Sequence, residues 1–92
     1  MTRDKYIDKC IKASFKIRQY LRVQDVEWTD IDLVIYDGIK YYPFGYILRF
    51  ENGNAVHIAE LRSLKTSSVT YALIDKVKEI DYEMQQYTDG SS

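Results

Sequence analysis

Two dipeptides, Asp37-Gly38 and Asn52-Gly53, constrain the fold of this chain more than any other feature of its sequence. Both favour the tight turns that join antiparallel strands, because Asp, Asn and Gly tolerate the left-handed backbone that such turns require. The flanking segments are rich in β-branched and aromatic residues, which favour strands. Pro43 lacks a backbone donor and is predicted to lie at an edge, a bulge or a bend. The pattern predicts strands over 31–36, 39–42, 46–50 and 55–59.

The second turn leaves two registers to compare. A two-residue loop at Asn52-Gly53 pairs Glu51 with Asn54 and mixes apolar and polar side chains on both faces. A three-residue loop with Gly53 in the left-handed conformation pairs Phe50 with Asn54 instead. Because a slip of one residue exchanges the two faces, burial favours the register with one apolar face, and we predict the three-residue loop. The side chains predicted to share that face are Tyr46, Leu48, Phe50, Val56 and Ile58.

The pattern of residues 3–22 predicts an amphipathic helix. The segment contains no Gly or Pro, Thr2 can cap its start, and Asp4 lies favourably in the first turn. At about 100° per residue, its apolar residues fall on one broad side. These residues are Tyr6, Ile7, Cys10, Ile11, Ala13, Ile17 and Leu21. On the opposite side lies a Lys ridge, formed by Lys5, Lys9, Lys12 and Lys16.

The last third of the chain fits two patterns. Apolar residues of 69–87 recur at helical spacing, at Val69, Leu73, Val77, Ile80, Met84 and Tyr87. The same segment also contains two alternating runs, typical of strands, on either side of Asp75-Lys76. Residues 69–87 are therefore predicted to form either a helix or a strand–turn–strand unit.

These elements predict an α+β fold, in which the N-terminal amphipathic helix packs on a small antiparallel sheet of hairpins. A chain of 92 residues has room for one small domain. We expect that domain to span residues 1–87, with a flexible C-terminal tail over 88–92.

Composition excludes several classes of protein. Hydrophobic residues make up 46% and charged residues 29% of the chain, which excludes an intrinsically disordered protein. A single Cys excludes a disulfide framework. The charged N-terminus has no apolar run of the kind found in secretion signals. We therefore expect a cytoplasmic protein that does not interact with a membrane.

The sequence contains no motif of catalysis, phosphate binding or metal binding. His57 is the only histidine, and no further His or Cys accompanies it at metal-ligand spacing. No Ser or Cys is organised with His57 as a nucleophile would be. We expect no enzymatic activity, no cofactor and no metal. His57 is predicted to be a surface or half-buried sheet residue, and Cys10 a small buried one.

Two features predict a protein-binding surface. Aromatic residues crowd the segment around Pro43, and Tyr is enriched at interfaces because it offers a large contact area at low entropic cost. An acidic stretch precedes them. The candidate contact residues are Tyr36, Tyr41, Tyr42, Phe44, Asp30 and Asp32. We expect a small non-catalytic interaction protein whose partner is another protein.

An alternative function uses the Lys ridge. Residues 1–22 hold seven bases and two acids, a net charge of +5, whereas residues 23–92 hold six bases and twelve acids, a net charge of −6. Four ammonium groups on one side of a helix can track the phosphates of a nucleic acid. Nucleic-acid binding through Lys5, Lys9, Lys12 and Lys16 is therefore the second hypothesis. A homodimer formed through an edge strand is a further expectation.

The chain as a whole resembles, in style, short accessory proteins of phages and conjugative elements of low-GC Gram-positive bacteria. The resemblance rests on a length under 100 residues, a composition rich in Ile, Lys, Tyr and Asp, and no catalytic signature. It extends to no motif of a named family. Proteins of that style include inhibitors of host defence systems, so the resemblance implies a host defence or DNA-processing protein as the partner.

Overall fold

The computed structural model describes residues 1–20, 25–66 and 68–80. One helix, α1, is followed by strands that form an antiparallel sheet of order β4-β3-β2-β1-β5. This arrangement confirms the predicted α+β fold. The elements are α1 (Arg3–Gln19), β1 (Val34–Tyr36), β2 (Ile39–Glu51), β3 (Asn54–Ser63), β4 (Val69–Leu73) and β5 (Lys78–Glu79), with 3₁₀ turns at Asp30–Asp32 and Ile74–Lys76.

Helix α1 begins where the sequence predicts. The Thr2 hydroxyl accepts a hydrogen bond from the Lys5 backbone N–H at 3.3 Å, and Asp4 lies in the first turn. The helix ends at Gln19, three residues before the predicted end. Its buried stripe is also narrower than predicted: Tyr6 and Ala13 are buried, whereas Ile11 is 49% exposed.

The core lies between α1 and one face of the sheet. Side chains from α1, from the three strands β1, β3 and β4, and from residues 74–77 form the main buried cluster. Its members are Tyr6, Val34, Ala59, Leu61, Ala72, Ile74 and Val77. Tyr6 is the largest of them and is fully buried. We call the face of the sheet that packs against Tyr6 the inner face, and the opposite one the outer face.

Both predicted turn dipeptides form turns. Asp37 and Gly38 have φ values of 53° and 76°, and they connect β1 to β2 with Tyr36 paired to Ile39. Strand β1, however, begins at Val34 rather than at residue 31. Residues 30–32 form a 3₁₀ turn instead, because the Asp32 carboxylate accepts hydrogen bonds from the backbone N–H and the hydroxyl of Thr29.

The predicted three-residue loop between β2 and β3 is wrong. Asn52 and Gly53 have φ values of 51° and 80°, and Glu51 pairs with Asn54 across a two-residue turn. Tyr46, Leu48 and Phe50 consequently share a face with Ala55, His57 and Ala59, while Val56 and Ile58 lie on the other face. Burial does not select the register at this end of the hairpin, because residues 49–55 are all exposed. The intrinsic preference of Asn-Gly for a two-residue turn therefore determines the register of this hairpin.

Pro43 lies at a β-bulge, one of the three positions predicted for it. Pro43 pairs with Leu61 and Gly45 pairs with Glu60, so Phe44 is the additional residue on β2. The Tyr6 hydroxyl lies against this bulge, 2.7 Å from the Gly45 carbonyl oxygen and 3.0 Å from that of Glu60. The bulge is thus held to α1 by a buried polar group.

Of the two patterns predicted for the last third, the structure shows the strand–turn–strand unit over 69–79, and residues 81–87 lie outside the described residues. Its two strands form opposite edges of the sheet. The five residue steps from Leu73 to Lys78 span at most about 18 Å, whereas the edges of a flat sheet of this order would be about 19 Å apart. The sheet therefore curls around the core, which Ile74 and Val77 enter from the crossing segment.

Candidate interaction surfaces

The predicted aromatic residues divide between the core and the surface. Tyr42 is only 2% exposed and stacks on Trp28, with ring centroids 4.8 Å apart, so its ring is a core residue rather than an exposed contact. Tyr36 and Tyr41 are half-buried against the main core cluster. Phe44 is 45% exposed and lies under the Arg62 guanidinium, which is 3.9 Å from the ring centroid.

The predicted acidic residues pair with lysines of the same chain. Asp30 accepts from the Lys40 ammonium at 3.0 Å, and Asp32 forms an ion pair with Lys16. Burial acts to raise the pKa of Asp32, but hydrogen bonds from Lys16 and Thr29 outweigh it and lower that pKa. Both carboxylates are thus paired within the chain, and their role in binding a partner stays a prediction.

The Lys ridge is partly engaged within the chain as well. The Lys9 ammonium donates to the Ile31 carbonyl at 2.6 Å, and that of Lys16 to the Glu27 carbonyl at 2.7 Å, in addition to its ion pair with Asp32. Lys12 pairs with Asp8 one turn away at 3.0 Å, where both side chains are exposed, and Lys5 is exposed. The ridge therefore attaches the acidic connection, residues 25–32, to α1. Its binding of nucleic acid stays a prediction.

His57 and Cys10 contact different tyrosines. The Nδ1 atom of His57 is 2.5 Å from the Tyr46 hydroxyl, and the two rings stack with centroids 5.9 Å apart. Burial raises the pKa of the Cys10 thiol to about 11, against a hydrogen bond to Tyr6 that lowers it. A thiol with this pKa is almost wholly protonated at neutral pH, when it is a poor nucleophile.

The outer face carries an apolar patch that sequence reasoning missed. Ile47, Ile58 and Leu73 lie side by side across β2, β3 and β4, and Tyr71 and Val56 adjoin them on the same face. Tyr71 is 59% and Leu73 is 47% exposed. We call these five residues the outer patch. Side chains directly opposite each other in an antiparallel sheet are about 5 Å apart, so the patch is continuous.

Ion-paired residues lie at two ends of the outer patch. Arg49 is 3.8 Å from Glu51 near the hairpin turn, and Arg62 is 3.6 Å from Glu60 near the bulge. An apolar patch rimmed by polar groups is typical of protein–protein contact sites. The alternation of Val69, Tyr71 and Leu73 in the sequence indicated the strand that contributes Tyr71 and Leu73 to the patch. Which residues of β2 and β3 lie beside them follows only from the pairing register of the strands.

Metal-ligand groups and membrane-spanning helices are both absent from the described part of the chain. Over residues 1–20, 25–66 and 68–80, no group of three or more His, Cys, Asp or Glu side chains is arranged to hold a metal ion. No helix within those ranges is long and apolar enough to span a bilayer. Comparison with known proteins gives no significant match to a family model, a curated protein or a solved structure.

Proposed function

We propose that this chain is a non-catalytic protein-binding module and that its contact surface is the outer patch. The observation that carries the proposal is the continuity of five apolar side chains across three strands, two of them about half exposed. The exposure of large apolar side chains to water is unfavourable, because water around apolar surface has a higher free energy than bulk water. Covering this patch with the apolar surface of another protein removes that cost.

Charge at the rim indicates how a partner would be recognised. The two ion pairs beside the outer patch, Arg49–Glu51 and Glu60–Arg62, each sum to zero net charge. Recognition therefore depends on apolar contact more than on long-range attraction, and we expect its affinity to change little with salt. Binding of nucleic acid through the Lys ridge would instead weaken steeply between about 50 and 200 mM salt.

Site-specific photo-crosslinking tests this proposal. A photoreactive phenylalanine analogue replaces Leu73 in the outer patch, or Ile31 as a matched control, since Ile31 is 69% exposed but lies on the first 3₁₀ turn. In a lysate of cells that naturally contain the chain, we expect position 73 to crosslink a protein that position 31 does not. An excess of the unlabelled parent chain should compete, whereas Leu73→Asp should not.

Three outcomes would contradict the proposal. The two positions could crosslink the same proteins equally, or position 73 could crosslink only a second copy of this chain. The third is that Leu73→Asp competes as well as the parent chain. Circular dichroism of each variant establishes that the fold is intact. Fluorescence anisotropy with single- and double-stranded oligonucleotides at the two salt concentrations tests the Lys-ridge hypothesis separately. The mobile-element setting and the host-defence partner stay predictions.

A further inference from the structure

The open edge of β2 carries an inference that does not depend on the proposed function. Strand β1 pairs with β2 only over residues 39–41, and the bulge follows at Phe44. In the described part of the chain, no strand pairs with residues 45–51 of β2 along the edge that faces away from β3. Seven residues of a regular strand are therefore unpaired on one side, and such edges are templates for strand pairing.

The hairpin turn determines which backbone groups point toward this edge. In a two-residue turn the flanking residues, Glu51 and Asn54, hydrogen-bond to each other. Because the bonding direction alternates along a strand, Tyr46, Leu48 and Phe50 direct their N–H and C=O groups away from β3. The side chains of these three residues also share the inner face. Leu48 is 46% and Phe50 is 69% exposed, so α1 does not cover them.

We propose that two copies of this chain pair antiparallel through β2, with the two-fold axis at Leu48. In this register Leu48 lies opposite Leu48 of the second copy, and Tyr46 lies opposite Phe50. The three outward-pointing residues of each copy then bond to those of the other. The paired side chains on the inner face are all apolar, and aromatic pairs across strands are favourable.

Charge and local geometry select this register over its neighbours. With the axis at Leu48, Arg49 lies opposite Ile47 and Glu51 lies opposite Gly45, so no charge faces a like charge directly. An axis at Arg49 places the two guanidinium groups opposite each other, which is unfavourable. An axis at Ile47 extends the pairing into the bulge, and an axis at Phe50 extends it into the turn.

The hairpin end also gains stability from such pairing. Strand β4 pairs with β3 only over residues 58–62. Residues 54–57 of β3 pair with β2 alone, so the hairpin end is a two-stranded ribbon in the described part of the chain. An isolated two-stranded ribbon is only marginally stable in water. Pairing with a second copy turns it into a four-stranded sheet of order β3-β2-β2-β3 and covers two exposed Leu and two exposed Phe side chains.

Analytical ultracentrifugation tests the dimer directly. We expect the parent chain to sediment as a dimer that dissociates on dilution, and Leu48→Pro to sediment as a monomer. Proline removes the outward N–H at the axis and, on an edge strand, leaves the pairing with β3 intact. Tyr71→Pro is the matched control, because its N–H also points away from β3, which is the one strand paired with β4 in the described part of the chain.

Disulfide trapping tests the register. In a Cys10→Ala background, Leu48→Cys places two thiols opposite each other at the axis, where Cα atoms are about 5.5 Å apart and a disulfide can form. Phe50→Cys is the control, since its two copies would be about 14 Å apart, from four residue steps and one strand spacing. We expect a covalent dimer from Leu48→Cys on mild oxidation and little from Phe50→Cys.

Several results would overturn the proposal. These are a monomeric parent chain at several hundred micromolar, a dimer abolished by Tyr71→Pro but not by Leu48→Pro, or faster trapping at position 50 than at 48. If Leu48→Pro fails to fold, Phe50→Lys replaces it, because Phe50 is exposed in the monomer. Because both copies in the dimer carry the substitution, we expect its dissociation constant to be at least about tenfold higher than that of the parent chain.

Discussion

The hydroxyl of Tyr6 is a polar group buried within an apolar cluster, and two carbonyl oxygens at the bulge of β2 and β3 accept hydrogen bonds from it. Burial raises the pKa of this phenol, since the phenolate would be unsolvated. We expect Tyr6→Phe to lower the free energy of unfolding by about 1 kcal/mol, because the carbonyls lose a donor without gaining water. Urea denaturation measures the change.

Tyr71→Phe is the control for this substitution at the same residue scale. Tyr71 is 59% exposed, so loss of its hydroxyl should change the free energy of unfolding by less than about 0.5 kcal/mol. Equal effects of the two substitutions would show that the Tyr6 hydroxyl contributes nothing specific to the attachment of α1 to the bulge.

At the scale of elements, the turn between β2 and β3 determines which residues face the core and which form the outer patch. Gly53 has φ of 80°, a conformation that strains any residue with a Cβ atom. We expect Gly53→Ala to lower the free energy of unfolding by about 1 kcal/mol. Gly45→Ala is the control: its φ is ordinary, and an added Cβ would lie 3.6 Å from Glu60, a normal contact.

Thermal unfolding of both glycine variants measures this difference. The midpoint should fall by several degrees for Gly53→Ala and by clearly less for Gly45→Ala. A larger loss from Gly45→Ala would indicate that space at the bulge, rather than backbone conformation at the turn, limits the hairpin.

The elements also show which parts of the fold are readable from the sequence. Helix α1 and the positions of both turns depend on neighbouring residues, and local signals predicted them, whereas for Pro43 those signals left an edge, a bulge or a bend open. The predicted register between β2 and β3 is wrong because this end of the hairpin is exposed, so that burial does not select a register there. The placement of β4 and β5 at opposite edges depends on pairing between distant segments, for which the sequence contains no local signal.

The candidate site was less predictable than the fold for the same reason. Clustering of aromatic and acidic residues along the chain indicated a binding surface, but Tyr42 packs on Trp28, and Asp32 pairs with Lys16. These contacts join segments from different parts of the chain. The outer patch likewise exists only once three strands are aligned, so Ile47 and Leu73 carried no shared signal in the sequence.

At the scale of the whole molecule, the basic helix and the acidic connection that follows it attract each other. The ion pair of Lys16 with Asp32 joins them, with the side chains only 31% and 17% exposed. Because the folded state lowers the pKa of Asp32, its carboxylate stabilises the fold above the unfolded pKa of about 3.9. That stabilisation is lost as the pH falls below this value and through the lower folded pKa.

Asp32→Asn tests this contribution. At pH 7 we expect the variant to be less stable than the parent chain by about 1–2 kcal/mol, since a charge-assisted hydrogen bond is lost from a partly buried site. Urea denaturation at pH 7, 5 and 3 should show the difference shrinking at pH 3, which lies below the unfolded pKa of about 3.9. Asp8→Asn is the control, because its pair with Lys12 is exposed and contributes at most about 0.5 kcal/mol. If Asp32→Asn and Asp8→Asn have the same pH profile, the ion pair of Lys16 with Asp32 adds nothing to the attachment of residues 25–32 to the helix, and packing and the hydrogen bonds of Lys9 and Lys16 to backbone carbonyls account for it.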